Sequence, residues 1–394
     1  MPDVVILTAR FGHGHLSAAE NIREALTEEF PHLTVEILDP FQATNPRSYA
    51  FARRLYRLGT NHFPRFYHWV YLWLDRTEGI DRYLRNNRAM SRFFKELYPT
   101  FQPRVVVSTY PANSALVEHH YGPAAGRPFR FFTVITDSVT INQAWVRGES
   151  DGYFVADPLT EKAMQKLGVP AARITVTGFP TPPFFVRHPR PPRPETPAGR
   201  PPALTLLYLP NQGVRTLFHI LRVLCSAAVE KIIMPLGNRG RLIRRTRRFG
   251  ERLKCRMEVT GWVPGIHRRM LEADLVITKA GGATVHEALA AGCPVIISRV
   301  TPGQEEGNAR LIESLGLGLV VRDDPSLLQL VKFLRQVDFV VLDTMRRNVE
   351  NFRRVDAPFR IARHVRAALA DAATRDDAPR PASGPEPGAT ATDA

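Results

Sequence analysis

The sequence predicts an α/β protein of two doubly wound parallel sheets facing each other across a cleft. Three observations carry that prediction. Short apolar runs alternate with amphipathic helical runs along the chain, and strands apolar on both faces, separated by helices, form parallel sheets covered on both sides. A length of 394 residues exceeds one ordinary core and points to two domains. Midway along the chain, Pro189 to Pro202 is rich in proline, which cannot join a ladder and reads as a stiff linker.

The elements follow in order. Strands are predicted at Val4–Ala9, Val35–Leu38, Arg104–Thr109, Phe131–Thr136, Tyr153–Ala156 and Ile174–Thr177 for the first sheet. For the second sheet they are predicted at Leu204–Leu209, Ile232–Leu236, Met257–Thr260, Leu275–Thr278, Val295–Ser298 and Leu319–Val321. This sets a first domain at 1–186, a linker at 187–202 and a second domain at 203–355. Residues 356–371, with the helical run Phe359 to Ala370, form a C-terminal helix placed to return to the first domain. Residues 372–394 mix Pro, Ala, Gly, Asp and Thr without apolar period, and are expected to be disordered. Ligands of such sheets bind at the carboxyl ends of the strands, here inside the cleft.

Composition narrows the class. Apolar residues make up 44% and charged residues 23%, which fits a globular chain rather than a disordered one. No stretch approaches the roughly 20 uninterrupted apolar residues of a spanning helix, and Met1-Pro2-Asp3 runs straight into an apolar strand with no basic leader before it. Cys225, Cys255 and Cys293 lack metal-ligand spacing and read as reduced thiols of a cytoplasmic protein. The net charge of +15 draws a protein toward nucleic acid or an anionic membrane surface, and charge alone does not choose between them.

The first strand leads into Arg10-Phe11-Gly12-His13-Gly14-His15. Ser17 and Glu20 have capping-box spacing, which predicts that the following helix starts at Ser17. Glycines in such a loop let backbone N–H groups approach an anion, or simply permit a tight turn. His15, at the mouth of the cleft, is a candidate general base, with a turn-capping histidine as the alternative.

In the second domain, Thr278-Lys279-Ala280-Gly281-Gly282-Ala283-Thr284 ends a strand, turns on two glycines and opens a helix. Amides at such a helix start hold a diphosphate without a metal. Glu287 follows Thr284 by three residues, so it either completes a capping box or accepts hydrogen bonds from the two hydroxyls of a ribose. After the next strand, Pro302-Gly303-Gln304-Glu305-Glu306-Gly307-Asn308 offers groups suited to sugar hydroxyls.

These residues together resemble the family of monogalactosyldiacylglycerol synthases and processive diacylglycerol glucosyltransferases. A more distant likeness is to the N-acetylglucosaminyltransferase acting on the lipid-linked peptidoglycan precursor. The family typically reads T-K-A-G-P-G-T-I-x-E-A and P-G-Q-E-x-G-N. The likeness extends to Val259-Thr260-Gly261-Trp262-Val263, Gly14-His15-x-Ser17-Ala18-Ala19, Val134-Ile135-Thr136-Asp137 and Val176-Thr177-Gly178-Phe179-Pro180.

The resemblance implies two Rossmann-like domains in the GT-B arrangement, the first on the acceptor and membrane side, the second binding a UDP-sugar. By position, main-chain groups near Val263 would face uracil and Glu287 would bind the ribose. Gly281, Gly282 and Thr284 would surround the diphosphate, with Gly14 opposite. Gln304 and Glu305, with Asn308 behind them, would hold the sugar. His15 and Asp137 are the candidates for acceptor deprotonation. No cofactor and no obligatory metal are expected, and no aspartate pair or histidine cluster argues for one. The chain departs from the family's glycine run at His13, and from its glycine-rich turn at Asn211-Gln212.

Between Arg47 and Lys95, aromatic residues from Tyr49 to Trp73 interleave with nine arginines from Arg53 to Arg92. A buried helical pair with a solvated face accounts for part of this, and an anionic membrane interface accounts for the combination. No recognised nucleic-acid motif is present, so nucleic acid is not an expected partner. The expected partners are a UDP-hexose, a lipid acceptor and an anionic membrane surface. The expected location is cytoplasmic, peripheral at the inner face of the cell membrane.

The expected activity is an inverting hexosyl transfer, of galactose or glucose, from a UDP-sugar to a lipid, diacylglycerol being the acceptor the resemblance names. The alternatives are transfer to another lipid-linked or small acceptor, UDP-sugar epimerisation, and a non-catalytic lipid-surface module.

Overall fold

A computed structural model describes residues 1–12, 14–62, 77, 79–191, 204–210, 213–226, 229–303, 305–322 and 339–376. All twelve expected strands are present: β1 Val4–Leu7, β2 Val35–Leu38, β3 Val105–Ser108, β4 Arg130–Val134, β5 Gly152–Val155 and β6 Ile174–Val176, then β7 Leu204–Tyr208, β8 Val229–Pro235, β9 Met257–Thr260, β10 Leu275–Lys279, β11 Val295–Arg299 and β12 Gly318–Val320. They form two six-stranded sheets, ordered β2-β1-β3-β4-β5-β6 and β12-β11-β10-β7-β8-β9. Every pairing is parallel, from Val4 against Val35 to Val295 against Gly318.

The strand orders locate the binding crevice. In each sheet the chain reverses direction of growth at its first strand, which has neighbours on both sides. The first reversal lies between β1 and β3, the second between β7 and β10. Loops leaving a reversal point diverge to opposite faces and open a crevice for a ligand. The loop after β1 leads into the helix whose first turn holds His15, and the loop after β10 ends at Gly281, with Gly282 opening the next helix.

Each sheet has its own core. Val4, Ile6, Val105 and Val107 face helix Gly14–Glu29 on one side of the first sheet, while Val5, Leu7 and Val106 meet Phe94, Leu97 and Leu116 on the other. The second sheet is likewise filled by Leu207, Val276 and Val295 on one face and by Leu206, Ile277 and Ile296 on the other. Such alternation along doubly covered strands removes both faces from water.

The last helix, Ala357–Asp376, joins the first core rather than the second. Ile361, Ala362, Val365 and Leu369 lie among Val4, Ala19 and Ile22, and Arg363 pairs with Glu29 at 2.6 Å. It runs into the segment expected to be disordered from residue 372, because Ala370, Ala372 and Ala373 sustain helix; 377–394 lie outside the described residues. Of the expected linker, Arg190 is fastened to the second domain through the carbonyls of Ala273, Ala291 and Gly292, and 192–202 lie outside the description.

Candidate active site

The loop after β1 turns at Gly12, whose φ of +90° suits glycine. The helix then begins at Gly14, three residues before the Ser17 start expected from the capping box. Ser17 is therefore inside the helix, receiving at most a long contact from Asn21 at 3.5 Å. Starting early moves His15 from the loop into the first helical turn.

There His15 is held on one side of its ring. Nδ1 lies 2.9 Å from the Thr109 carbonyl and 2.8 Å from the Thr136 hydroxyl. A carbonyl only accepts, so Nδ1 carries the proton and Nε2 keeps its lone pair. The ring stands edge-on to Tyr110 at 5.1 Å and tilts toward Trp145 at 6.0 Å. Burial lowers its pKa to about 4, against the opposing Thr109 bond.

Asp137 follows Thr136 and shares the Trp145 neighbour. The fully buried indole donates from Nε1 to Asp137 Oδ2 at 2.7 Å. Burial raises the Asp137 carboxyl to about 6, only partly offset by that bond. The two candidate bases thus flank one indole, with their protonation pushed in opposite directions.

On the second domain, helix Gly282–Ala290 has Gly281 as N-cap and no side-chain cap. That removes the capping-box reading of Glu287. It sits in the helix interior, not in a capping box, and its half-buried carboxylate has no hydrogen-bond partner among the described residues. Burial raises its pKa to about 7. An N-terminus whose amides lack a side-chain cap remains open to an anion. Thr284 lies in its first turn.

The next helix, Glu306–Ser314, starts at the second expected loop. Asn308 donates from Nδ2 to the Ala280 carbonyl at 2.9 Å, while its buried Oδ1 is unpaired among the described residues. Glu305 is more engaged than a free sugar ligand: Oε1 pairs with Lys279 and Oε2 accepts from Thr301 N–H at 2.9 Å. A carboxylate has about four lone-pair sites, so these bonds fix its orientation without exhausting it. Gln304, His13, Asn211 and Gln212 lie outside the described residues. Val263 is half-buried in the turn after β9, beside Trp262, which is 74% exposed.

The two halves meet at these helix starts. A Cβ on Gly14 would stand 4.0 Å from Ala283 Cβ, and one on Gly282 would stand 3.1 Å from the Thr136 carbonyl. A Cβ on Gly307 would fall 1.7 Å from the Ser138 carbonyl, closer than atoms can approach, so only glycine fits. The first-domain loop with Asp137 is therefore packed onto the second-domain helices with Glu287 and Asn308. Sequence reasoning missed Thr109, Thr136, Trp145 and Lys279 as the residues that orient these groups. Thr109 and Thr136 reach His15 from the ends of distant strands, and Trp145 reaches Asp137 from eight residues away; Thr136 and Lys279 stand within the sequence motifs, but no role is legible for them there.

A family model for monogalactosyldiacylglycerol (MGDG) synthase matches residues 15–181, and one for the glycosyltransferase family 28 C-terminal domain matches 220–355. The chain is 28% identical over 368 residues to a processive diacylglycerol beta-glucosyltransferase of Bacillus subtilis, covering 88% of this chain and 90% of that one. It is 26% identical to the protein of the same name from Bacillus pumilus, with the same coverage. Among solved structures, MurG of Acinetobacter baumannii superposes with a TM-score of 0.60 at 14% identity, covering 93% of this chain and all 100% of that one. A UDP complex of MnaA from S. aureus superposes at 0.57 and 12% identity, covering 94% and 97%. At those identities the superpositions speak for the fold alone. With a monogalactosyldiacylglycerol synthase domain followed by a glycosyltransferase family 28 C-terminal domain, the chain is a UDP-sugar glycosyltransferase of the GT-B fold, similar along most of its length to the processive diacylglycerol glucosyltransferases.

Proposed function

We propose that this enzyme transfers a hexose, glucose or galactose, from a UDP-sugar to diacylglycerol at a membrane surface, inverting the anomeric carbon. The observation that carries the reading is the meeting of two helix starts across the cleft, one bearing His15 and the other leading to the partnerless Glu287. Glu287 accepts the ribose hydroxyls, and main-chain groups near Val263 meet the uracil. The diphosphate lies against Gly281, Gly282 and Thr284, facing Gly14. Gln304 and Glu305 hold the sugar, and Asn308 fastens that loop to Ala280.

The acceptor oxygen attacks the anomeric carbon, its proton passes to the enzyme, and the bond to the β-phosphate breaks to release UDP. The amides at the start of helix Gly282–Ala290 stabilise the departing charge. Two groups compete for the proton. At pH 7, protonating a group of pKa about 4 costs about 4 kcal/mol and one of about 6 costs about 1.4 kcal/mol. Asp137 therefore takes the proton, and the free Nε2 of His15 orients the acceptor hydroxyl.

The acceptor route is aromatic. From His15 it runs to Tyr110, to Phe11 and Phe41, and to the buried Tyr49. Tyr49 lies on helix Pro46–His62, whose outer face exposes Phe51, Leu55 and Leu58 at i, i+4 and i+7 with Arg47 and Arg54 beside them. An apolar stripe with basic flanks suits peripheral contact with an anionic bilayer. Among the described residues no helix is long and apolar enough to cross a membrane. We place the contact at the inner face of the cell membrane, where UDP-sugars are supplied. The rest of the aromatic stretch, residues 63–76, lies outside the description.

The test is incubation with labelled UDP-glucose, UDP-galactose or UDP-N-acetylglucosamine, with and without diacylglycerol vesicles. Labelled glycolipid formed only with vesicles supports the reading. Sugar conversion without acceptor points to epimerisation, and UDP binding without turnover to a non-catalytic module; either overturns it.

A further inference from the structure

The segment Thr136 to Thr140 leaves β4 and docks on the second domain at successive points. The Thr136 carbonyl faces Gly282, and the Ser138 carbonyl faces Gly307. Between them, Ser138 Oγ and His286 Nε2 form a hydrogen bond of 3.0 Å. The Val139 side chain packs against the second-domain core cluster that includes Val285, Ala288 and Leu289.

That segment is strained. Val139 has a φ of +59°, a left-handed conformation that a β-branched residue adopts only when its surroundings impose it. Its N–H donates to Thr160 Oγ1 at 3.0 Å, and the Thr160 hydroxyl donates to Asp157 at 2.7 Å. Those bonds hold the loop from its own domain, and His286 holds it from the other.

His286 is built for the purpose. It is 4% exposed and stacks on Phe179 with ring centres 4.6 Å apart and planes 4° from parallel. It precedes Glu287 on the same helix, and its partner Ser138 follows Asp137. The proposed mechanism gives His286 no task.

We infer that His286 is a positioning residue for the transfer: its bond to Ser138 ties the donor-side helix to the strained loop, so that domain closure and placement of Asp137 are one event. The inference rests on the reading of Asp137 as proton acceptor. A tie of this kind acts on turnover once both substrates are bound, and not on how tightly UDP binds.

The experiment compares full-length wild type with His286→Ala, His286→Gln, Ser138→Ala, the double variant His286→Ala/Ser138→Ala and Asp137→Asn. It measures kcat and donor KM with diacylglycerol vesicles, Kd for UDP, and the folded fraction. His286→Ala and Ser138→Ala are each expected to lower kcat about tenfold with KM and Kd within about twofold. The double variant is expected to be no slower than the slower single, because one interaction is lost only once. Gln places an amide nitrogen near the Nε2 position and is expected to restore most of the loss. Wild-type kcat in His286→Ala, losses that multiply in the double variant, Gln no better than Ala, or a kcat loss equal to the loss of folded protein would each overturn the inference. Asp137→Asn with wild-type kcat overturns the base assignment instead, a result distinct from normal His286 kinetics.

Discussion

The two walls of the cleft prepare their polar groups in opposite ways. On the first-domain wall, His15 and Asp137 are oriented by neighbours, through Thr109 and Thr136 for one and Trp145 for the other. On the second-domain wall, Glu287 and Asn308 Oδ1 have no partner among the described residues, and the helix start at Gly282 has no side-chain cap. Unpaired polar groups in a desolvated place are costly unless a ligand pairs them. On the proposed reading the contrast separates two tasks: the second wall binds the donor, and the first wall moves a proton.

Breaking the first wall should have the largest effect. Asp137→Asn is expected to cut kcat about 10²–10⁴-fold, the usual contribution of a positioned acid or base, with Kd for UDP unchanged by calorimetry. Gly307→Ala forces a Cβ into the Ser138 carbonyl and should hold the domains apart. We expect kcat to fall at least about tenfold and the radius of gyration to rise in solution scattering, with UDP affinity largely kept because most of its proposed contacts, Gly14 apart, lie on the second wall. Glu287→Ala removes hydrogen bonds to a charged acceptor, and the loss of a single such bond, about 1.5–3 kcal/mol, should already weaken Kd for UDP by about 10–100-fold.

Proton linkage sharpens the same contrast. Asp137 must be ionised to accept a proton, and burial raises it to about 6, so kcat should rise with pH through about 6. As the proposed acceptor of the ribose hydroxyls, Glu287 would act best when ionised; burial raises it to about 7, so UDP affinity should tighten as pH rises through about 7. Glu287→Gln should flatten the second profile and leave the first. The smallest effect is expected away from both walls. Exchanging Phe51, Leu55 and Leu58 for serine should reduce sedimentation with anionic vesicles, while turnover of a short-chain soluble diacylglycerol persists.

What the sequence made legible follows from physical range. The strands were legible because β1, β3 and β10 are apolar on both faces, a pattern written in consecutive residues. The glycine turns of the donor loop were legible for the same reason. Helix starts were misread at Ser17, where capping-box spacing occurs inside a helix that Gly14 had already begun. The orientation of His15 depends on Thr109 and Thr136, about a hundred residues away, and no local pattern encodes that. Nor does the spacing of Gly307 disclose that a carbonyl from the other domain fills the place of its side chain.

One measurement bears most directly on the division of labour between the walls: steady-state transfer from the active UDP-sugar to diacylglycerol vesicles by wild type, Asp137→Asn and Glu287→Ala, with Kd for UDP taken on the same preparations. The account predicts that Asp137→Asn binds UDP as wild type does and makes almost no glycolipid. It predicts that Glu287→Ala makes glycolipid only at raised donor concentration. Wild-type donor KM in Glu287→Ala, or wild-type kcat in Asp137→Asn, would contradict it.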